Sequence, residues 1–136
     1  MREHGVMRIL GIDFGDVRIG LALGDSETRL ASPLDVLVVK NEEQVIHDLL
    51  DLLQQERIEK VVIGIPHSLR DRGRSEQARR IMNFAEKLRE AGIDVMEEDE
   101  TMTSKLAAHQ AMEAGLKGKR DDLAAAAILQ SYLDKR

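Results

Sequence analysis

The sequence predicts an α/β protein: a mixed sheet of five strands, three antiparallel and then two parallel, flanked by helices. Three observations predict it. Short apolar segments crowd the first forty residues, with short links that suggest an antiparallel meander. Further on, strands alternate with stretches of helical periodicity, which implies parallel pairing through crossovers. The run Val61-Val62-Ile63-Gly64-Ile65 is apolar throughout, as a strand covered on both faces should be.

The elements follow in order. The segments 7–14, 18–24 and 34–39 form the meander. Asn41 reads as an N-cap with Gln44 three residues on, the spacing of a capping box. Val45, Ile46, Leu49, Leu50, Leu52 and Leu53 then recur at helical spacing to about Arg57. The apolar strand at 61–65 ends at Pro66, and an arginine-rich loop follows. A helix from about Ser75 carries Ala78, Ile81, Ala85 and Leu88 on one face and stops at Gly92. Ile93 to Met96 is a short strand, and Thr103 caps a helix running to Gly115. After the basic link Leu116-Lys117-Gly118-Lys119-Arg120, the last helix starts at Asp121-Asp122 and runs to Leu133. Its alanines at 124–127 allow close approach to a sheet. There is no repeat or linker, so residues 1–136 are expected to form a single domain.

Composition narrows the function. The chain has no cysteine, which excludes disulfides, thiolate metal sites and cysteine nucleophiles. No apolar run approaches the roughly 18 residues that span a membrane, and the N-terminus lacks a signal-peptide core. A cytoplasmic protein with no membrane partner is the expectation. Aromatic residues make up only 2%, which disfavours base stacking on aromatic platforms. A net charge of −5 argues against nucleic-acid binding over the whole surface, but not against a local basic patch.

Asp13 is the most informative residue. It is a lone carboxylate in the apolar run Ile9 to Phe14, and a buried charge is costly unless paired or bound to metal. In the predicted topology the first strand is central. The end of the last strand carries Glu97-Glu98-Asp99-Glu100, and the final helix opens with Asp121-Asp122. Both can reach the tip of the first strand. Taken singly, Glu97 to Glu100 read as a solvated rim and Asp121 and Asp122 as helix caps. Jointly, acids from three elements at one edge suit Mg²⁺ or Mn²⁺. One or two such ions can drive phosphodiester cleavage by activating water and stabilising the leaving oxygen. His4, His47, His67 and His109 are scattered and offer no competing ligand spacing.

Gly11-Ile12-Asp13-Phe14-Gly15, Arg18-Ile19-Gly20-Leu21-Ala22 and Val62-Ile63-Gly64-Ile65-Pro66 resemble the YqgF/RuvX family. So do Phe84 to Leu88, Asp99-Glu100 with Thr103, and Asp121 through Ala124-Ala125 to Leu133. The resemblance runs from Met7 across essentially the whole chain. It implies a ribonuclease H-like fold and a nuclease described both as a Holliday-junction resolvase and as the enzyme that matures the 5′ end of 16S ribosomal RNA. It also selects the acids: Asp13, Glu100 and Asp121 as catalytic metal ligands, with Asp122 a weaker candidate for the third. Two departures bear on substrate placement. Thr101 stands where the family has Arg, and His67 to Gly73 replaces the usual Asp-Gly-Ser loop, one residue out of register.

Residues 70–80 hold Arg70, Arg72, Arg74, Arg79 and Arg80 against Asp71 and Glu76. Guanidinium forks suit phosphates. Arg18, Arg70, Arg72, Arg74, Lys117, Lys119 and Arg120 are the candidate nucleic-acid contacts, whereas Arg79 and Arg80 also fit the outer face of a helix. Recognition is expected by backbone and shape. The partners would be structured RNA, within ribosomal precursor particles, or branched DNA. A monomer serves the first, and a two-fold homodimer suits the second. Two other functions compete. Gly11 to Gly15 also resembles the first phosphate loop of actin-like ATPases and sugar kinases, which need two such domains. A catalytically silent nucleic-acid- or protein-binding module of the same fold is the other.

Overall fold

The structure is a computed structural model that describes residues 6–15, 17–66, 76–100 and 121–135; the side chains of Pro66 and Glu100 lie outside that description. The strands are β1 (Arg8–Phe14), β2 (Arg18–Asp25), β3 (Ser32–Val38), β4 (Lys60–Pro66) and β5 (Asp94–Glu100). The helices are α1 (Glu42–Gln55), α2 (Glu76–Glu90) and α3 (Asp121–Asp134). The expected helix from Thr103 to Gly115 falls outside the described residues.

The sheet has the order β3-β2-β1-β4-β5. β1 pairs antiparallel with β2, and β2 with β3. β4 runs parallel to both β1 and β5. β1 is therefore central, as the sequence predicts. β5 is longer than predicted, because β4 pairs with it along its whole length, from Lys60↔Asp94 to Pro66↔Glu100. The four acids at 97–100 are thus strand residues rather than a rim beyond the strand.

Local chemistry sets the helix ends. Asn41 caps α1, its Oδ1 accepting from the Gln44 N–H at 3.1 Å. The side chain of Gln44 donates to Asp48 instead of reaching back to the cap, so only half of the capping box forms. Gly92 ends α2 at φ +93°, a left-handed geometry that favours glycine.

Alternation along β1 divides the core in two. Leu10, Ile12 and Phe14 face α1 and α2, with Leu49, Ile81, Phe84 and Leu88 at the centre of that layer. The rings of Phe14 and Phe84 pack 4.7 Å apart. Ile9 lies on the opposite face with Ala22 and Val62, against Ala125, Ile128, Leu129 and Tyr132 of α3. Glycines let α3 come close. A Cβ on Gly11 would stand 2.7 Å from the Leu129 Cβ, and one on Gly24 would stand 3.1 Å from Leu133. Among the described residues, no helix is long and apolar enough to cross a membrane.

Candidate active site

β1, β4 and β5 end at the same edge of the sheet, and the antiparallel β2 begins there. Asp13, Glu100 and Arg18 therefore share one end of the molecule. Asp13 is half-buried in the penultimate position of β1, directly opposite Gly20 of β2. The α3 face of β2 is lined by Gly20, Ala22 and Gly24, and cross-strand partners share a face, so Asp13 lies on the α3 side.

Gly20 is where the first residue of α3 meets the sheet. A Cβ built there would run into the carbonyl group of Asp121 and stand 2.8 Å from the Asp121 Cβ. Opposed Cβ positions in an antiparallel pair are about 5 Å apart. The Cβ atoms of Asp13 and Asp121 are therefore at most about 8 Å from each other, close enough for two carboxylates to share a cation.

Glu100 takes its place through its backbone, as the last residue of β5 opposite Pro66. Carrying the β1–β4 register one step past Ile12↔Ile63 sets Asp13 level with Gly64, which pairs with Glu98. At normal strand spacing the Cα atoms of residues 13 and 100 are then about 12 Å apart. The structure thus brings Asp13 and Asp121 together and puts the Glu100 backbone at the same edge; the Glu100 side chain lies outside the described part. Asp122 accepts a hydrogen bond from the Leu123 N–H at 2.9 Å, a bond local to its own helix.

The donor set fits a hard divalent cation, which prefers carboxylate oxygens. Oδ2 of Asp121 is buried and has no hydrogen-bond partner among the described residues. Such an atom is costly to bury unless something satisfies it, and a cation beside Asp13 would. No cluster of three carboxylate or histidine ligands occurs among the described residues, so a third ligand from position 100 is an inference from backbone placement alone.

Arg18 is half-buried at the start of β2, paired with Val38 and two residues before Gly20. It therefore shares the α3 face and lies at the outer end of the strand, beyond the carboxylates. Arg79 is exposed and ion-paired with Glu76 at 3.7 Å, which fits the outer-face reading. Arg70, Arg72, Arg74, Lys117, Lys119 and Arg120 lie outside the described residues. A cleft of about 580 Å³ opens on the other side of the sheet, beneath Phe14. Lys40, Arg80 and Lys87 line it, offset by Glu42, Glu86 and Glu90, so it offers a polyanion no net attraction.

Two features escape the sequence reading. The glycines at 11, 20 and 24 carry a signal, since glycine inside a strand marks close backbone approach. Glu98 carries none: only the structure shows it buried, accepting from Ser131 Oγ at 3.0 Å and from Lys135 Nζ at 2.6 Å.

The chain matches the family model described as "RuvX: Holliday junction resolvase" over residues 7–135. It is 40% identical over 132 residues to a Thermus thermophilus protein named "Putative pre-16S rRNA nuclease", covering 93% of this chain and 97% of that one. Among solved structures it is similar to T. thermophilus RuvC in complex with a Holliday junction substrate, with a TM-score of 0.61 and 22% identity over 96% of this chain and 95% of the other. It is also similar to the fowlpox virus Holliday junction resolvase, with a TM-score of 0.63 and 14% identity over 96% of this chain and 100% of that one. Those two likenesses speak to the fold, which is ribonuclease H-like. Continuous agreement of sequence from Met7 to Lys135, on a sheet of this topology, makes the chain a member of the RuvX family.

Proposed function

We propose that this protein is a metal-dependent nuclease, a single-domain cytoplasmic enzyme that processes the 5′ end of pre-16S ribosomal RNA. It is a hydrolase of phosphodiester bonds. The observation that carries this reading is the seating of Asp121 on Gly20, directly across from Asp13. Two acids meet there, and the buried Asp121 oxygen, without a hydrogen-bond partner among the described residues, is suited to a cation. The names borne by the relatives support the RNA substrate.

Asp13 and Asp121 would hold Mg²⁺ or Mn²⁺, as one ion or two, with Glu100 as the third ligand. A divalent ion in such a site makes water a nucleophile near neutral pH and offsets charge on the phosphate. The chain's own residues do the rest. The acids would hold the cation at the sheet edge, and the Arg18 guanidinium at the start of β2 is suited to holding a phosphate oxygen. Arg70, Arg72, Arg74, Lys117, Lys119 and Arg120 are the further phosphate contacts that the sequence offers. Cleavage is expected to leave 5′-phosphate and 3′-hydroxyl ends.

A second reading is resolution of branched DNA, favoured by the family description and by the junction bound to the similar RuvC. It requires a two-fold dimer to cut symmetrically. The test is a side-by-side cleavage assay on pre-16S leader RNA and a synthetic four-way junction, in Mg²⁺ and in Mn²⁺, with Asp13→Asn as control. RNA cleavage lost in the variant is the expected result. Junction cleavage alone shifts the assignment to the resolvase. Equal activity of wild type and Asp13→Asn rejects both.

A further inference from the structure

Glu98 is the buried charged side chain among the described residues, at 5% exposure. The side chain of Lys135, its ion-pair partner at 2.6 Å, is 57% exposed. The desolvation cost therefore falls almost wholly on Glu98, and an apolar residue at such a position is often as stable or more so. Met96, two residues earlier on the same strand, packs into the α3-side core and shows that an apolar residue is accommodated there. The charge at 98 calls for a reason other than stability.

The reason lies in the helix it grips. Ser131 lies in the last turn of α3 and Lys135 follows its final residue, four positions on, so both bonds fasten the C-terminal end of the helix. α3 packs on Ile9, Ala22 and Val62 and comes closest to the sheet at Gly11, Gly20 and Gly24; on the β2–β3 side Gln130 bonds to the backbone of Arg29 and Ala31, and Tyr132 accepts from Lys60 of β4. Gln130 thus holds the helix on the β2–β3 side and Glu98 holds it on the β5 side, so the two anchors together set its angle. From Ser131 back to Asp121 is about 15 Å along the axis. A tilt of about 10° at the Ser131 end would carry Asp121 about 3 Å, enough to part it from Asp13.

We propose that Glu98 is a positioning residue for the metal site: through Ser131 and Lys135 it fixes the angle of α3 on the sheet, and so fixes Asp121 over Gly20 beside Asp13. It lies two residues before Glu100 on β5 and one strand pairing beyond Gly64, so it ties the helix bearing one ligand to the strand bearing another. The inference rests on the metal-site reading above, but its mechanical part is tested without metal.

The experiment compares wild type, Glu98→Leu and the double variant Ser131→Ala/Lys135→Met by amide NMR, thermal melts and Mn²⁺ calorimetry, on the full chain. The double variant leaves β5 untouched and decides the matter if Glu98→Leu fails to fold. The expected result is a folded protein in which the amide resonances of Gly20 and Asp121–Leu123 move without metal and Mn²⁺ binds about fivefold or more weakly. Moved resonances with a wild type that binds no Mn²⁺ would uphold the positioning role and reject the metal reading. Unmoved resonances, or a Mn²⁺ affinity within about twofold of a binding wild type, overturn the proposal.

Discussion

At the scale of residues, Asp13 and Asp121 are not interchangeable with their neighbours. Asp121 has a buried oxygen without a partner among the described residues, whereas Asp122 accepts a hydrogen bond from its own helix. Asp13→Asn and Asp121→Asn should each lower single-turnover cleavage by about 100-fold or more, the scale expected when charge stabilisation at the reacting phosphate is lost. Asp122→Asn should cost less than about fivefold, close to ordinary surface change. Circular dichroism on the same samples checks that each variant is folded. Equal losses at 121 and 122 would remove the distinction between them. Asp13 and the acid-bearing helix start were legible in the sequence because a charge in an apolar strand is anomalous wherever it occurs. The burial of Glu98 was not legible, because its partners lie more than thirty residues away and a run of four acids looks solvated.

At the scale of elements, two contacts invite tests. The first is the seating of α3 on β2. Gly20→Ala sets a methyl group into the Asp121 backbone, and backbone cannot swing aside as a side-chain tip can. Overpacking of this kind costs about 1–3 kcal/mol, and Mn²⁺ affinity should fall with it; urea unfolding and calorimetry read the two effects separately. The second is the β2–β3 turn. Asp25 Oδ1 accepts from the Thr28 N–H at 2.7 Å and the Glu27 N–H at 2.9 Å. The Thr28 backbone bond is the main cause holding the Asp25 carboxyl below its ordinary value of 3.8, against an opposing push from burial. A depressed folded pKa gives stability that is present above the unfolded value and is lost as pH falls through the folded one. Asp25→Asn should therefore flatten the acid limb of the stability curve, measured by urea melts from pH 5 down to pH 2, and leave neutral-pH cleavage unchanged. The full length of β5 was hidden, because Glu97, Glu98 and Asp99 lower strand propensity while pairing with β4 overrides it.

At the scale of the whole molecule, a net charge of −5 sits on a protein proposed to grip a polyanion. Binding must then be local, through a rim rather than a basic face. Affinity for leader RNA should fall steeply between about 50 and 200 mM salt, as counterion release requires. Arg18→Ala should lower the slope of log K against log salt by about one if it neutralises one phosphate, measured by filter binding or fluorescence anisotropy. An unchanged slope would place Arg18 outside the interface. The strand order was legible as a whole because short links and long crossovers restrict the topologies a sheet can take. The arginine-rich loop and the basic link lie outside the described residues, and their charge without periodicity gives the sequence no handle on their conformation.

Phe14 and Asp13 are adjacent, yet one ring packs on Phe84 and the other side chain stands beside α3. Were β1 to pair one residue out of step, every side chain on it would change sides. The carboxylate would be driven into the hydrocarbon interior and the aromatic ring cast toward the α3 side of the sheet. These two neighbours thus penalise the misaligned hairpin twice over during folding.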